Sequence, residues 1–198
     1  MKSLKGLPTV NEDKEDTMNQ MNCDISAVLF DEYRIQTRIR EIGQEISNEY
    51  TGKTPVLIGI LKGGFIFLAD LVRSITIPME LDFLAISSYG TGTSSSGVVK
   101  IRKDIDIDIN GRDVIVVEDI VDSGLSLQYI KDYLWQHKPN SLRTCVLLDK
   151  PEAHKTELNF DYVGFEVMNE FVVGYGLDYA ERYRNLPYIG ILKEERYL

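Results

Sequence analysis

Apolar residues recur along this chain with two alternating periods. Ile35, Ile39, Ile42 and Ile46 fall at i, i+4, i+7 and i+11, one stripe down a helix that Asp31 is placed to cap. Thr51-Gly52-Lys53-Thr54-Pro55 ends that helix. Val56 to Leu61 then reads as a strand buried on both faces, closed by Lys62-Gly63-Gly64. Phe65 to about Ser74 predicts a second helix, with Leu68, Leu71, Val72 and Ile75 apolar, and Met79 to Ser87 a further strand. Val98 to Ile101 returns to strand. Asp104, Asp106 and Asp108 alternate with Ile105, Ile107 and Ile109, the period of a half-exposed strand or a turn. Val114-Ile115-Val116-Val117 is the next buried strand, followed by an acidic loop and a helix carrying Leu127, Ile130 and Leu134. Lys138-Pro139-Asn140 breaks the chain before strands at Leu142 to Leu148 and Tyr162 to Met168.

Strands alternating with helices predict an α/β fold: a twisted, mostly parallel sheet flanked by helices, with ligand at the carboxyl ends of its strands. Residues 1–24 are polar and aperiodic, and read as a loosely ordered extension draped on the body. Residues 25–198 then form one domain, with a core over about 30–170. The aromatic, glycine-rich residues 171–198 form a small hood over the sheet edge. Ser88 to Gly97 is rich in Ser, Thr and Gly, and composition leaves it open as a linker or a mobile lid.

Charge narrows the partners. A formal net charge of −9 disfavours nucleic acid and anionic membranes, which select basic surfaces. No apolar run approaches the ~20 residues that span a bilayer, and no signal-peptide core opens the chain. Cys23 and Cys145 are isolated, which suits a reducing, cytoplasmic setting, and His137 and His154 share no zinc-ligand spacing with them.

The candidate chemistry follows the central strand, in Glu118-Asp119-Ile120-Val121-Asp122-Ser123-Gly124-Leu125-Ser126. Small residues at a strand-to-helix turn free backbone N–H groups at a positive helix end, a cradle for phosphate. Carboxylates beside it would repel that ligand unless they meet sugar hydroxyls or a metal ion. A phosphorylated ribose satisfies both demands.

That stretch resembles the phosphoribosyl pyrophosphate (PRPP) signature of type I phosphoribosyltransferases. Leu61-Lys62-Gly63-Gly64, Ser87-Ser88-Tyr89-Gly90, Asp149-Lys150, and Phe171 to Tyr179 with Arg184 beyond are similar to the hypoxanthine-guanine branch. The resemblance runs from roughly Leu29 to the C-terminus. It implies transfer of ribose 5-phosphate from PRPP to a 6-oxopurine, and it implies roles. Asp122 would handle the purine N7 proton, and the amides of Asp122 to Ser126 with the Ser123 and Ser126 hydroxyls would take the 5′-phosphate. Glu118 and Asp119 would hold ribose hydroxyls, directly or through Mg²⁺, with Asp178 on a second Mg²⁺. Lys62, the Gly63 and Gly64 amides and Arg184 would hold pyrophosphate. Lys150, Phe171, Val172 and Asp178 would form the purine side, with Lys150 selecting the 6-oxo group. Ser88 and Tyr89 would open a lid, the Leu61–Lys62 peptide would be cis, and the chain would pair as a homodimer or homotetramer. A nucleotide-binding regulator on the same fold, or a transferase for xanthine or pyrimidines, remains the alternative.

Overall fold

The two most apolar runs are neighbours at the centre of the sheet. In the computed structural model, which describes residues 20–88 and 99–198, β2 (Val56–Leu61) and β5 (Asp113–Val121) pair in parallel, Val56 opposite Val114 and Gly59 opposite Val117. β3 (Glu80–Ser88) lies outside β2, and β6 (Ser141–Asp149) and β7 (Tyr162–Glu166) lie outside β5, all parallel. β4 (Val99–Lys103) closes the β3 edge antiparallel, giving the order β4-β3-β2-β5-β6-β7.

Alternation along the strands divides the core into two layers. Leu57, Ile115 and Val117 face α1 (Glu32–Glu49) and α2 (Phe65–Ser74); Val56, Ile58, Val114 and Val116 face α3 (Leu125–Trp135). The stripe Ile35, Ile39, Ile42 and Ile46 is fully buried, each side chain worth roughly 1.5–3 kcal/mol. The Asp31 carboxylate accepts from Arg34 N at 2.8 Å, a cap worth about 1 kcal/mol. Burial therefore holds α1 in place, and the cap only fixes where it starts.

β1 (Ile25–Phe30), β9 (Ile189–Leu192) and β8 (Val172–Val173) form a second, antiparallel sheet with its own core of Met21, Val173, Tyr183, Leu186 and Leu192. The hood thus takes its strands from both ends of the described chain. The last residues of the expected extension over 1–24 pack against this hood. Residues 20–23 are helical, Met21 is buried, and buried Asp24 accepts from the Tyr183 hydroxyl at 2.7 Å. Residues 1–19 of that extension lie outside the described residues, as do Tyr89 and the rest of the expected lid after Ser88.

Two expectations change. β5 runs on past Val117, with Glu118 opposite Val146 and Ile120 opposite Leu148. The carboxylates Glu118 and Asp119 are thus strand residues, fixed by the β6 ladder, and the loop begins only at Asp122. For Asp104–Ile109, read as strand or turn, the strand alternative falls. The Asp82 carboxylate takes the Asp106 and Ile107 N–H groups at 2.6 and 2.9 Å, which diverts that backbone from any ladder.

The chain leaves β2 toward β3 and leaves β5 toward β6, in opposite directions. At such a reversal the two following loops part and open a crevice beyond the strand ends. Lys62-Gly63-Gly64 and Asp122-Ser123-Gly124, which leads into α3, are those two loops.

Candidate active site

The crevice floor is the end of β5. Asp119 is 7% exposed, and Glu118 Oε2 is buried with no hydrogen-bond partner. Burial, then the adjacent Asp119, pushes Glu118 well above the usual carboxylate range. Burial raises Asp119 to about 6. Two carboxyl groups desolvated side by side are costly to the empty fold. They become favourable only when hydroxyl donors or a cation reach them.

Beyond them the chain turns at Gly124, with φ of 77°, into α3. No side chain caps this helix, and the first helical amide bond is Gln128 N to Gly124 O at 2.9 Å. The first-turn N–H groups are therefore left for a ligand, at the positive end of the helix dipole. Glycine suits the dihedral there, and a Cβ at Gly124 would push the end of the Leu158 side chain aside.

Lys150 follows β6 and is not a solvated lysine. It is 7% exposed, and its Nζ lies 2.8 Å from Asp122 Oδ1. The loop carrying it is pinned by its own N–H to Val121 O at 3.1 Å and by Lys155 N to Ser123 O at 3.1 Å. His154 Nε2 meets Asp149 Oδ1 at 2.7 Å behind it. Opposite stands Phe171, stacked on Tyr197 at 4.7 Å and met edge-on by Tyr179 at 5.6 Å. Asp119, Ile120, Asp122, Lys150, Phe171, Val172, Leu177 and Asp178 surround a cavity of about 240 Å³. It has an ammonium at one end and apolar walls from Ile120 and Phe171.

The other side of the crevice is cationic. The Leu61–Lys62 peptide is cis. Lys62 Nζ lies 2.9 Å from Glu181 Oε1, and Arg184 Nη2 lies 2.7 Å from Asp178 Oδ1 and 3.4 Å from Glu181 Oε2. Arg184 also donates to Gly176 O at 2.7 Å, and its Nε is buried without a partner. Arg182, two residues earlier, is exposed and sits over Tyr183 instead. Gly63 is held between two sites: a Cβ there would overlap the Asp119 carboxylate, and a Cβ on Gly176 would overlap Gly63 O. Only glycine leaves room for that carboxylate and lets the hood backbone touch the Lys62 loop.

Of the sequence-predicted residues, Asp119, Asp122, Lys150, Phe171, Val172 and Asp178 line one cavity and Lys62 and Arg184 an adjoining one, joined by the Arg184–Asp178 pair. The expected metal carboxylates do not form a closed set. Among the described residues no three His, Cys, Asp or Glu side chains converge on an ion-sized point, and Asp178 is engaged by Arg184 and Glu181 N. Ile120, Leu177, Glu181 and Tyr197 were not foreseen. Glu181, between Asp178 and Arg184, reads as an ordinary surface glutamate, and Tyr197 belongs to no periodic element.

Residues 29–180 match the family model of the phosphoribosyl transferase domain. The chain is 54% identical over 177 residues to the bifunctional protein TilS/HprT of Listeria monocytogenes, aligning 89% of this chain but 27% of that protein. It is 51% identical over 177 residues to the hypoxanthine-guanine phosphoribosyltransferase of Bacillus subtilis, aligning 89% of this chain and 98% of the relative. The crystal structure of a hypoxanthine phosphoribosyltransferase from Staphylococcus aureus superposes with a TM-score of 0.87 at 45% identity, covering 90% of this chain and 97% of that one.

Proposed function

The chain belongs to the phosphoribosyltransferase family, on its hypoxanthine-guanine branch, and we propose that it transfers the 5-phosphoribosyl group of PRPP to N9 of hypoxanthine or guanine, a purine-salvage reaction yielding IMP or GMP and pyrophosphate. The observation that carries this reading is the desolvated Glu118–Asp119 pair, set between the uncapped start of α3 and the Lys62 and Arg184 cations. A ligand with phosphate at one end, hydroxyls in the middle and diphosphate at the other matches that order of charges.

The 5′-phosphate takes the amides from Asp122 to Ser126, with the Ser123 and Ser126 hydroxyls. The ribose hydroxyls meet Glu118 and Asp119. Purine fills the cavity between Ile120 and Phe171, with its 6-oxo group on the Lys150 ammonium and its edge against the Val172 backbone. Asp122, exposed at its tip and tied to Lys150, is placed to take or hold the N7 proton. As the bond from C1 of the ribose to pyrophosphate lengthens, positive charge grows on the sugar and negative charge on the leaving group. Buried carboxylates oppose the first and Lys62 and Arg184 the second, so both ends of the breaking bond are stabilised.

The donor chemistry fits a hard divalent cation, since Glu118 Oε2 is an oxygen ligand without a partner. Glu118 and Asp119 would hold Mg²⁺ together with substrate oxygens, and Asp178 would serve on the pyrophosphate side. When bound, Mg²⁺ supplies neutralisation of diphosphate charge. Ser88 and Tyr89 enter this reading as the start of a lid over the reacting centre, from the family resemblance alone.

As to setting, we take residues 25–198 as one catalytic domain with the hood as its purine-recognition part, working as a homodimer or homotetramer. Cys23 and Cys145 are both free thiols, which supports a reducing compartment such as the cytoplasm. Among the described residues no helix is long and apolar enough to cross a membrane. Incubating the protein with PRPP, Mg²⁺ and each of hypoxanthine, guanine, xanthine and adenine tests the reading. IMP and GMP with stoichiometric pyrophosphate are expected, and no AMP. Efficient use of adenine would overturn the role of Lys150 and the substrate assignment with it.

A further inference from the structure

The two cations assigned to pyrophosphate already hold an anion that belongs to the chain. Glu181 Oε1 accepts from Lys62 Nζ at 2.9 Å, and its Oε2 accepts from Arg184 Nη2 at 3.4 Å. Lys62 comes from the loop after β2 and Arg184 from the hood, and among the described residues Glu181 is the carboxylate that touches both.

The backbone around Glu181 is shaped to deliver it there. Tyr179 and Arg182 exchange backbone bonds, with N to O distances of 3.2 and 3.0 Å, so Ala180 and Glu181 are the central pair of a two-residue turn. Both have positive φ, 51° and 62°. Turns of this kind favour Asn-Gly, because left-handed φ is disfavoured for residues with a Cβ. Ala-Glu therefore holds the turn against its conformational preference. Glu181 N donates to Asp178 Oδ2 at 2.8 Å, which fixes the turn to the carboxylate that also holds Arg184. Strain of this sort persists where its surroundings over-determine it and clusters where ligands are clamped. Lys62 beside it holds the Glu181 carboxyl below its ordinary range, so the contact stays ionised at neutral pH. A stronger anion, not a proton, is what removes it.

Resting on the reading of Lys62 and Arg184 as pyrophosphate ligands, we propose that Glu181 is a positioning residue that stands in for pyrophosphate between product release and the next PRPP. The carboxylate yields the two cations to the incoming diphosphate and returns as pyrophosphate leaves. It thereby keeps Lys62 and Arg184 oriented in the free protein and weakens their hold on product. Both side chains of the Lys62–Glu181 pair are about two-thirds exposed, so the exchange is shallow and needs no opening of the core.

Calorimetric titration of inorganic pyrophosphate with MgCl₂ into the full chain and into Glu181→Gln tests this directly. Gln keeps the size and the turn but loses the charge. Two exposed ion contacts predict pyrophosphate binding tighter by about threefold to tenfold in the variant. The KM for PRPP should fall in step, and the KM for hypoxanthine should not move. Glu181→Asp should return part of the way toward the unmodified protein. Asp132→Asn, which removes one exposed carboxylate from α3, controls for bulk charge and should change none of these. Unaltered or weaker pyrophosphate binding in Glu181→Gln would overturn the proposal. So would absence of binding by either protein, even if IMP is formed. Absence of IMP with pyrophosphate binding still tightened would instead count against the transferase reading alone.

Discussion

Asp122 and Lys150 are each other's partner at 2.8 Å, so in the proposed reaction, where they would serve different atoms of the base, they would act as one unit. Asp122→Asn should lower kcat by about 10²–10⁴, the usual yield of general acid–base catalysis, with little change in the KM for PRPP. Lys150→Gln should act mainly on purine use. Combined, the two losses should fall short of their sum, since either alone already breaks the pair; additive steady-state effects would mean that the residues work apart. Asp119 makes a different prediction, about stability. Its folded pKa, about 6, lies above the ordinary value near 4, so the folded state holds its proton more tightly than the unfolded one. Its cost to the fold is absent below about pH 4, grows as pH rises through 4 to 6, and is constant above that. Glu118 shifts in the same direction. Asp119→Asn should therefore raise the melting temperature of the ligand-free protein at pH 7.5 by an amount equivalent to about 1–3 kcal/mol, while impairing PRPP use. Thermal melts at pH 4 and 7.5 check the sign: the gain should be confined to the higher pH.

Among the elements, those bearing many buried side chains were legible and those bearing few were not. The isoleucine stripe and the runs at Val56 and Val114 announce their period because each position is paid in burial. Residues 25–30 do not: Ser26, Ala27 and Val28 are exposed in β1, which is held by its ladder to β9 and leaves no alternating record. The same holds for the site. Lys62, Asp122 and Lys150 stood out as candidates because each directly follows a strand that the sequence announces, and Glu118 because it is a carboxylate within one. Glu181 did not, since positive φ at Ala180 and Glu181 is imposed by the surrounding hood and has no local signature. Nor did Tyr197, which reaches Phe171 from near the chain's end. Tyr197→Ala should loosen the ring that the purine meets, raising the KM for hypoxanthine by about threefold or more, given roughly 0.5–1.5 kcal/mol for such an aromatic pair. The KM for PRPP should be unmoved, and a parallel rise in both would show a general loss of folding instead.

For the molecule as a whole, the proposed reaction would draw its phosphate and ribose groups from the sheet, and the wall for the base and Arg184 from the hood. Besides side-chain contacts such as Lys62–Glu181 and Tyr175–Asp70, these two bodies meet where Gly176 rests on Gly63, and Gly63 rests in turn on Asp119. At the Gly176–Gly63 approach, backbone against backbone, no flexible side chain lies between to absorb a displacement. A shift of the hood over a purine must therefore be felt at the loop that carries Lys62, and a diphosphate on Lys62 must be felt by the hood. In thermodynamic terms the joint is a coupling free energy, and coupling is reciprocal. Hypoxanthine should tighten pyrophosphate binding by the same factor by which pyrophosphate tightens hypoxanthine, measured as two calorimetric titrations in opposite order. Gly176→Ala, which sets a methyl against Gly63 O at a φ of 101°, should shrink that shared factor toward one. The order in which substrates load and products leave would then depend in part on one contact between two glycines.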